Sequence, residues 1–264
     1  MVVGSKWLDF KLVFPVAAAW LGLNFVWDIL CRASGGSDEK AWFMQPMRVG
    51  EGRYLTFLLL MSGFWTSFNQ IFMTLPEYIR DYIDTSDLIS AFGIGGSAAS
   101  RAWLEHGQIK PEYLINLNAF GIIVGQVAIS YLSRKLPALT TMILGTMITV
   151  VSFILFLFGQ GGWMVVIAVL VFSVGEMLAS PKSKEYAGRI APPAKVGMYM
   201  GYFYWCVALG NLFGGLLSGV SYQYFGPQGI DQPHWMWILF AALALASAIG
   251  LGLYNRWVQR NPVS

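Results

Sequence analysis

Between Lys135 and Lys182 the chain carries one charge, Glu176, in the stretch Gly175-Glu-Met-Leu-Ala-Ser-Pro181. A carboxyl bordering an apolar run this long has two readings. It handles a proton or a substrate, or it lies near enough to a membrane surface to stay hydrated; the functional reading is the default for ionisable groups inside a membrane. Amides interrupt other apolar runs. Asn69 and Gln70 fall in Phe64-Trp-Thr-Ser-Phe-Asn-Gln-Ile-Phe-Met73, Asn116, Asn118 and Gln126 in the run before Arg134, and Asn211 in the run after Lys195. Such amides either hydrogen-bond one helix to another or face a solute cavity, and both readings stay open. Phe64, Trp65, Tyr202, Tyr204 and Trp205 could line a cavity for an organic solute, although aromatic side chains more often face lipid or form belts at the membrane surface.

Other chemistries find little support. His106 and His234 both fall in polar connections, so no buried histidine set offers a metal site, and no cofactor is expected. Cys31 and Cys206 are far apart and form no redox or metal spacing. The last apolar run has no lysine for a Schiff base, and neither a phosphate-binding loop nor a Gly-x-Ser-x-Gly elbow occurs. The net charge of +3 comes from scattered Lys and Arg, which excludes a nucleic-acid partner. The chain is not expected to be an enzyme.

The elements that hold these groups follow from composition. Of 264 residues, 56% are hydrophobic and 12% are charged, about half the charged share that a soluble domain uses to cover its surface. The uncharged runs are long: 16 residues after Lys11, 23 after Arg53, 21 after Glu112, 40 after Lys135, 35 after Lys195 and 24 after Asp231. About 20 apolar residues in a helix cross a bilayer core. An all-α polytopic membrane bundle of about seven helices is expected, over roughly 10–30, 54–75, 112–133, 136–158, 163–180, 196–220 and 235–254. A cleavable signal peptide is the alternative for the first, but no small-residue cleavage site follows it. Residues 1–30 then form a first span, 31–53 a polar linker, 54–258 a six-helix bundle and 259–264 a tail. Residues 76–111 read as an external segment with a mobile small-residue loop from Gly93 to Ser100. Gly210 and Gly214, and Gly215 and Gly219, are pairs that allow close helix approach.

Lys and Arg set the expected orientation. The connections 31–53, 134–135, 181–195 and 255–264 hold twelve of them, whereas the N-terminus, 76–111, 159–162 and 221–234 hold five. The positive set is expected in the cytoplasm, leaving the N-terminus outside and the C-terminus inside.

The segment Gly175–Pro181, then Ala191-Pro-Pro, then Gly201 through Ala208-Leu-Gly-Asn211 with Gly214-Gly215, resembles the tenth and eleventh helices of major facilitator superfamily transporters. The likeness is greatest to their proton-coupled oligopeptide branch, where a Gly-Glu-Leu-x-x-Ser-Pro motif is typical. Phe64-Trp65 with Gln70 is similar to that branch's seventh helix, and Ser133-Arg-Lys-Leu-Pro137 to the turn between helices eight and nine. By this resemblance 54–254 corresponds to helices seven to twelve, 10–30 to helix six and 31–53 to the central linker. Lys182 departs from the branch, which commonly has a small residue there.

The resemblance implies secondary active transport of a small solute by alternating access, this chain supplying the carboxy-terminal half. It implies proton coupling and short peptides as a substrate class. Glu176 would stand where the branch places the acid that meets a peptide amino terminus or takes part in coupling, and Trp65, Asn69, Gln70, Trp205 and Asn211 would be cavity residues. Partners would be the lipid bilayer, the proton, a small-molecule or peptide substrate, and an amino-terminal six-helix half or a second membrane chain. A non-transporting assembly subunit and a homodimeric half-size transporter are the alternatives.

Overall fold

Six helical rods run through the computed structural model, which describes residues 52–192 and 195–261 together with Ala19, Gly22, Leu23 and Val26. The expected first span, most of the linker and the last residues of the tail lie outside the described residues. The chain divides into two units after Arg48, and the six rods all belong to the second, Val49–Ser264. The first rod is built of α1 (Gly52–Phe68), α2 (Gln70–Met73) and α3 (Leu75–Tyr82). It was expected as one span, and it is interrupted at Asn69 and Thr74. Pro76 is the physical reason at Thr74, because its nitrogen cannot donate to the Phe72 carbonyl one turn back. Asn69 keeps its bond to the Trp65 carbonyl (3.1 Å), and nothing in the structure explains that break. After α4 (Ser86–Phe92), α5 (Ala98–Arg101) and the β1–β2 hairpin (Leu104–Glu105, Gln108–Ile109) come α6 (Pro111–Ile115) and α7 (Leu117–Ser133). The remaining rods are α8 (Ala138–Leu155), α9 (Gly162–Ile190), α10 (Val196–Phe225) and α11 (His234–Arg260).

Among the described residues, five helices are long and apolar enough to cross a membrane: Pro111–Ser133 and the rods α8 to α11. Such runs satisfy their own backbone hydrogen bonds, as a lipid environment demands. The rods form an open arc. α7 packs on α9, α9 on α8, α8 on α11, α11 on α1, and α1 on α10. The core between them is largely aromatic, with Phe57, Phe153, Phe172, Phe240 and Trp237 fully buried. Small residues set the tightest approaches. A Cβ on Gly145 would lie 2.6 Å from the Gly175 carbonyl, and one on Gly210 would overlap the Cβ of Trp65. Gly145–Gly175 thus joins α8 to α9 and Gly210 joins α10 to α1, backbone against backbone. Only the first of the two expected glycine pairs on α10 works this way. Gly214 abuts Thr66, whereas Gly219 has nothing within 4 Å of a would-be Cβ.

Two boundaries depart from expectation. The fifth rod in the sequence-based set runs on through Pro181 to Ile190 rather than ending at 180. Beyond the apolar stretch its charges pair along one helix face, Lys182 with Glu185 at 2.7 Å and Arg189 with Glu185 at 3.6 Å, which favours helix over loop. The segment 76–111 is ordered into short elements. His106 (φ 50°) and Gly107 (φ 81°) make a two-residue left-handed turn between β1 and β2, whose register pairs Glu105 with Gln108.

Among the described residues, the connections 76–111, 159–162 and 221–234 bond to one another at one end of the bundle. There Tyr82 Oη donates to Asp231 (2.7 Å), Tyr222 Oη to Asp81, and the Asp84 N–H to the Gln160 carbonyl (2.9 Å). At the other, Arg53 donates to the Asn261 carbonyl and Tyr186 Oη to Tyr254 Oη.

Candidate functional site

Gly175 and Glu176 work as a pair of neighbours on α9. Gly175 meets Gly145 and Thr149 of α8, with no room for a side chain. One residue further is about 100° around a helix, so Glu176 leaves that contact and faces α7. Asn118 Nδ2 donates to Glu176 Oε2 at 2.9 Å, and Ser173 Oγ donates to Asn118 Oδ1 at 2.7 Å. Ser173 is buried and one turn before Glu176, so the triad bridges two spans. The acid lies about 21 Å along the axis from Gly162, by helix rise, well inside the rod. Gly121 and Gly125 keep α7 close at this level, against Ser173 and Met177.

A second polar cluster joins the broken rod to α10. Asn69 Nδ2 donates to Asn211 Oδ1 at 2.6 Å. Gln70 is fully buried, and its amide donates to the Thr66 carbonyl (2.8 Å) and the Gly214 carbonyl (3.0 Å). The Thr74 hydroxyl donates to Gln70 Oε1 at 2.8 Å and sits 2.8 Å from Ser218 Oγ. Both donors of Gln70 are therefore spent, one within its own rod and one in joining that rod to α10.

The six expected site residues thus divide. Glu176 lies in the α7–α9 cluster; Asn69, Gln70 and Asn211 lie in the α1–α10 cluster. Trp65 is buried beside it, edge-on to Phe64 and Phe68, and its indole N–H has no acceptor among the described residues. Trp205 stands apart, 66% exposed on α10. Ser173, Thr74 and Ser218 complete the clusters without having been singled out from sequence. Ser173 could have been found, since it shares a helix face with Glu176, but Thr74 and Ser218 needed the pairing of α2 with α10.

The end of the bundle nearest α3 carries its own charged cluster. Arg80 bonds to Glu77 and Asp81, and these line a cleft of ≈ 560 Å³ with Tyr222 and Gln228. Burial opposes ionisation of Asp81, but the Tyr222 hydroxyl and Arg80 together hold its carboxyl below the usual range.

Long apolar rods in an open arc, with a carboxyl–amide pair between two of them, define a polytopic membrane protein. A family model described as Major Facilitator Superfamily matches residues 111–263, more than half of the chain, and the chain belongs to that superfamily. It is 24% identical to the uncharacterized MFS-type transporter YttB of Bacillus subtilis (strain 168), over 67% of this chain and 40% of that protein. It is 22% identical to the multidrug resistance protein MdtH of Klebsiella pneumoniae subsp. pneumoniae, over 99% of this chain and 60% of that one. Among solved structures, a POT family transporter in complex with 5-aminolevulinic acid superposes with a TM-score of 0.61 at 17% identity, over 78% of this chain and 41% of that chain. A peptide transporter POT in complex with sulfate gives 0.59 at 15% identity, over 97% and 48%. Likeness at that identity is a likeness of fold. The chain spans between about two-fifths and three-fifths of the length of these relatives.

Proposed function

We propose that this chain supplies the carboxy-terminal half of a proton-coupled transporter of small solutes, with short peptides as the first substrate class to test. The observation that carries the reading is the Asn118–Glu176 pair, held on a rod whose position is fixed by Gly145–Gly175 contact. A carboxyl inside the bilayer that changes partners as it gains and loses a proton can bias one arrangement of the helices over another.

Burial supports the missing half. Only 11% of the apolar window of Pro111–Ser133 and 22% of that of α10 are buried, against 44% or more in the other three spans. Those two rods end the open arc. In the proposed assembly their uncovered faces meet an amino-terminal six-helix half. The Asn69–Asn211 pair and the exposed Trp205 are the candidates for the wall of the shared cavity, with the buried Trp65 and Gln70 supporting it from behind. The twelve-to-five distribution of Lys and Arg supports placing the 134–135 and 255–264 connections in the cytoplasm.

Export of organic drugs is a second reading, favoured by the name of the MdtH relatives. Vesicles of the source membrane, given an inside-alkaline pH gradient, are expected to accumulate labelled dialanine. Proteoliposomes holding this chain alone as a monomer are expected to accumulate none. Uptake by the lone monomer contradicts the half-transporter reading, and gradient-driven movement of ethidium without dialanine uptake favours the second.

A further inference from the structure

Two aromatic residues of the segment between α3 and α6 rest on aromatic residues in the first turns of membrane-spanning helices. Phe92, the last residue of α4, has its ring 5.6 Å from that of Trp163, the second residue of α9. Trp103, just before β1, has its ring 5.8 Å from that of Tyr113, in the first turn of Pro111–Ser133. All four are exposed, Phe92 at 66% and Trp103 at 45%. Phe92 and Trp103 also line one open cleft of ≈ 670 Å³, with Gly93, Ile94 and Ser100, so they share a face of the segment.

The depth of these rings follows from their partners. A residue in the first turn lies within about 5 Å of the helix start along the axis, and the start of an apolar spanning helix marks the membrane boundary. Phe92 and Trp103 are held at that level by ring contact. Meanwhile Asp87, Thr85 and Gln108 of the segment spend their polar groups on internal bonds. Asp87 accepts from the backbone N–H groups of Gly162 (3.2 Å) and Trp163 (3.1 Å), and the Gln108 amide oxygen accepts from the Thr85 N–H (2.6 Å) and hydroxyl (2.5 Å). Exposed polar groups remain, among them Asp84, Ser86, Arg101, Glu105 and His106, but the face that carries Phe92 and Trp103 is aromatic. Rings at membrane depth prefer the headgroup boundary, where an apolar body and polar surroundings are both satisfied.

We infer that the segment 83–110 is an interfacial anchor: its Phe92–Trp103 face lies on the lipid headgroup boundary, continuous with the lipid-facing starts of α6 and α9. The partner is the bilayer surface itself. Phe92 and Trp103 dip into it while the Glu105–Gln108 hairpin stays in water.

The test places a spin label at Phe92→Cys, Trp103→Cys and Glu105→Cys in the full chain in lipid nanodiscs, with Cys31 and Cys206 replaced by serine. Collision rates with oxygen, which concentrates in lipid, and with an aqueous nickel chelate are then compared. The oxygen-to-nickel ratio is expected to be several-fold higher at 92 and 103 than at 105. Equal nickel access at all three positions overturns the inference by placing the face in water. Protection from both reagents at 92 and 103 overturns it in favour of a covering protein. Trp103→Phe gives a second readout that keeps the fold's cysteines in place. Lipids brominated near the headgroup should quench a smaller share of its tryptophan fluorescence than in the unaltered chain, and an unchanged share counts against the anchor.

Discussion

Asn118 Nδ2 stands 2.9 Å from Glu176 Oε2, on two spans that touch through glycines. A carboxyl this far along an apolar rod needs a donor, and α7 provides one that Ser173 in turn orients. Asn118→Ala removes both hydrogen bonds between α7 and α9. Interhelical hydrogen bonds in membranes contribute about 0.6 kcal/mol each on average and up to about 1.7. A loss of about 1 kcal/mol is expected, read as a lower thermal midpoint in lipid, and Asn118→Gln is expected to recover part of it.

Gly175 and Gly219 make opposite predictions. A methyl group at 175 would fall 2.7 Å from Thr149 Oγ1 and 2.8 Å from the Gly145 carbonyl, so the two helices must separate. Gly175→Ala should cost about 1–3 kcal/mol through overpacking. Gly219→Ala meets nothing within 4 Å and is expected to be neutral or slightly stabilising, since alanine favours helix. Thermal denaturation of the two variants side by side separates them.

Asp87 caps a helix to which it does not belong. Its carboxylate accepts from the first two N–H groups of α9: Gly162, which it shares with the Asp84 carbonyl (2.9 Å), and Trp163. Asp87→Ala is expected to cost about 1 kcal/mol, as the loss of an ordinary helix cap does. Faster hydrogen exchange should be confined to the start of α9 and to α4. Uniformly faster exchange would show that the cap matters for the whole bundle instead.

Asp84 links the order of the same segment to pH. The Ser86 backbone N–H, then the Ser86 hydroxyl and the Gln108 amide, hold its carboxyl below the ordinary range. The folded value is therefore lower than the unfolded one of about 3.9. Its contribution is complete above that pH and disappears as pH falls through the folded value. Acid should loosen Asp84–Gln108 before the spans, and Asp84→Asn should flatten that response in hydrogen exchange.

The spans were legible because charge-free length alone decides what can cross a bilayer, and the rods from Ala138 to Arg260 follow it closely. Glycine spacing marked Gly210 and Gly214 correctly as contact points, but sequence could not say which side of α10 meets a neighbour, so Gly215 and Gly219 looked equivalent to them. Glu176 was visible as an isolated charge and Asn118 as an isolated amide. Their pairing was hidden because the two lie 58 residues apart and on different rods. The break in the first rod at Thr74 had Pro76 as its signal, whereas the one at Asn69 had none. The folding of 76–111 had a weaker one: the cap at Asp84 and the His106–Gly107 turn are each ordinary in sequence, and the bonds of Asp84 and Asp87 to Gln160–Trp163 and of Gln108 to Asp84 and Thr85 join residues far apart in the chain.

The measurement that bears most directly on the transporter account is gradient-driven uptake of labelled dialanine by Glu176→Gln in source-membrane vesicles, at matched protein abundance. Glutamine keeps the size and the hydrogen bond to Asn118 but cannot carry a proton. The account predicts that accumulation under an inside-alkaline gradient is lost while exchange of dialanine across the membrane without a gradient persists. Accumulation that keeps both its rate and its pH dependence in Glu176→Gln would contradict it.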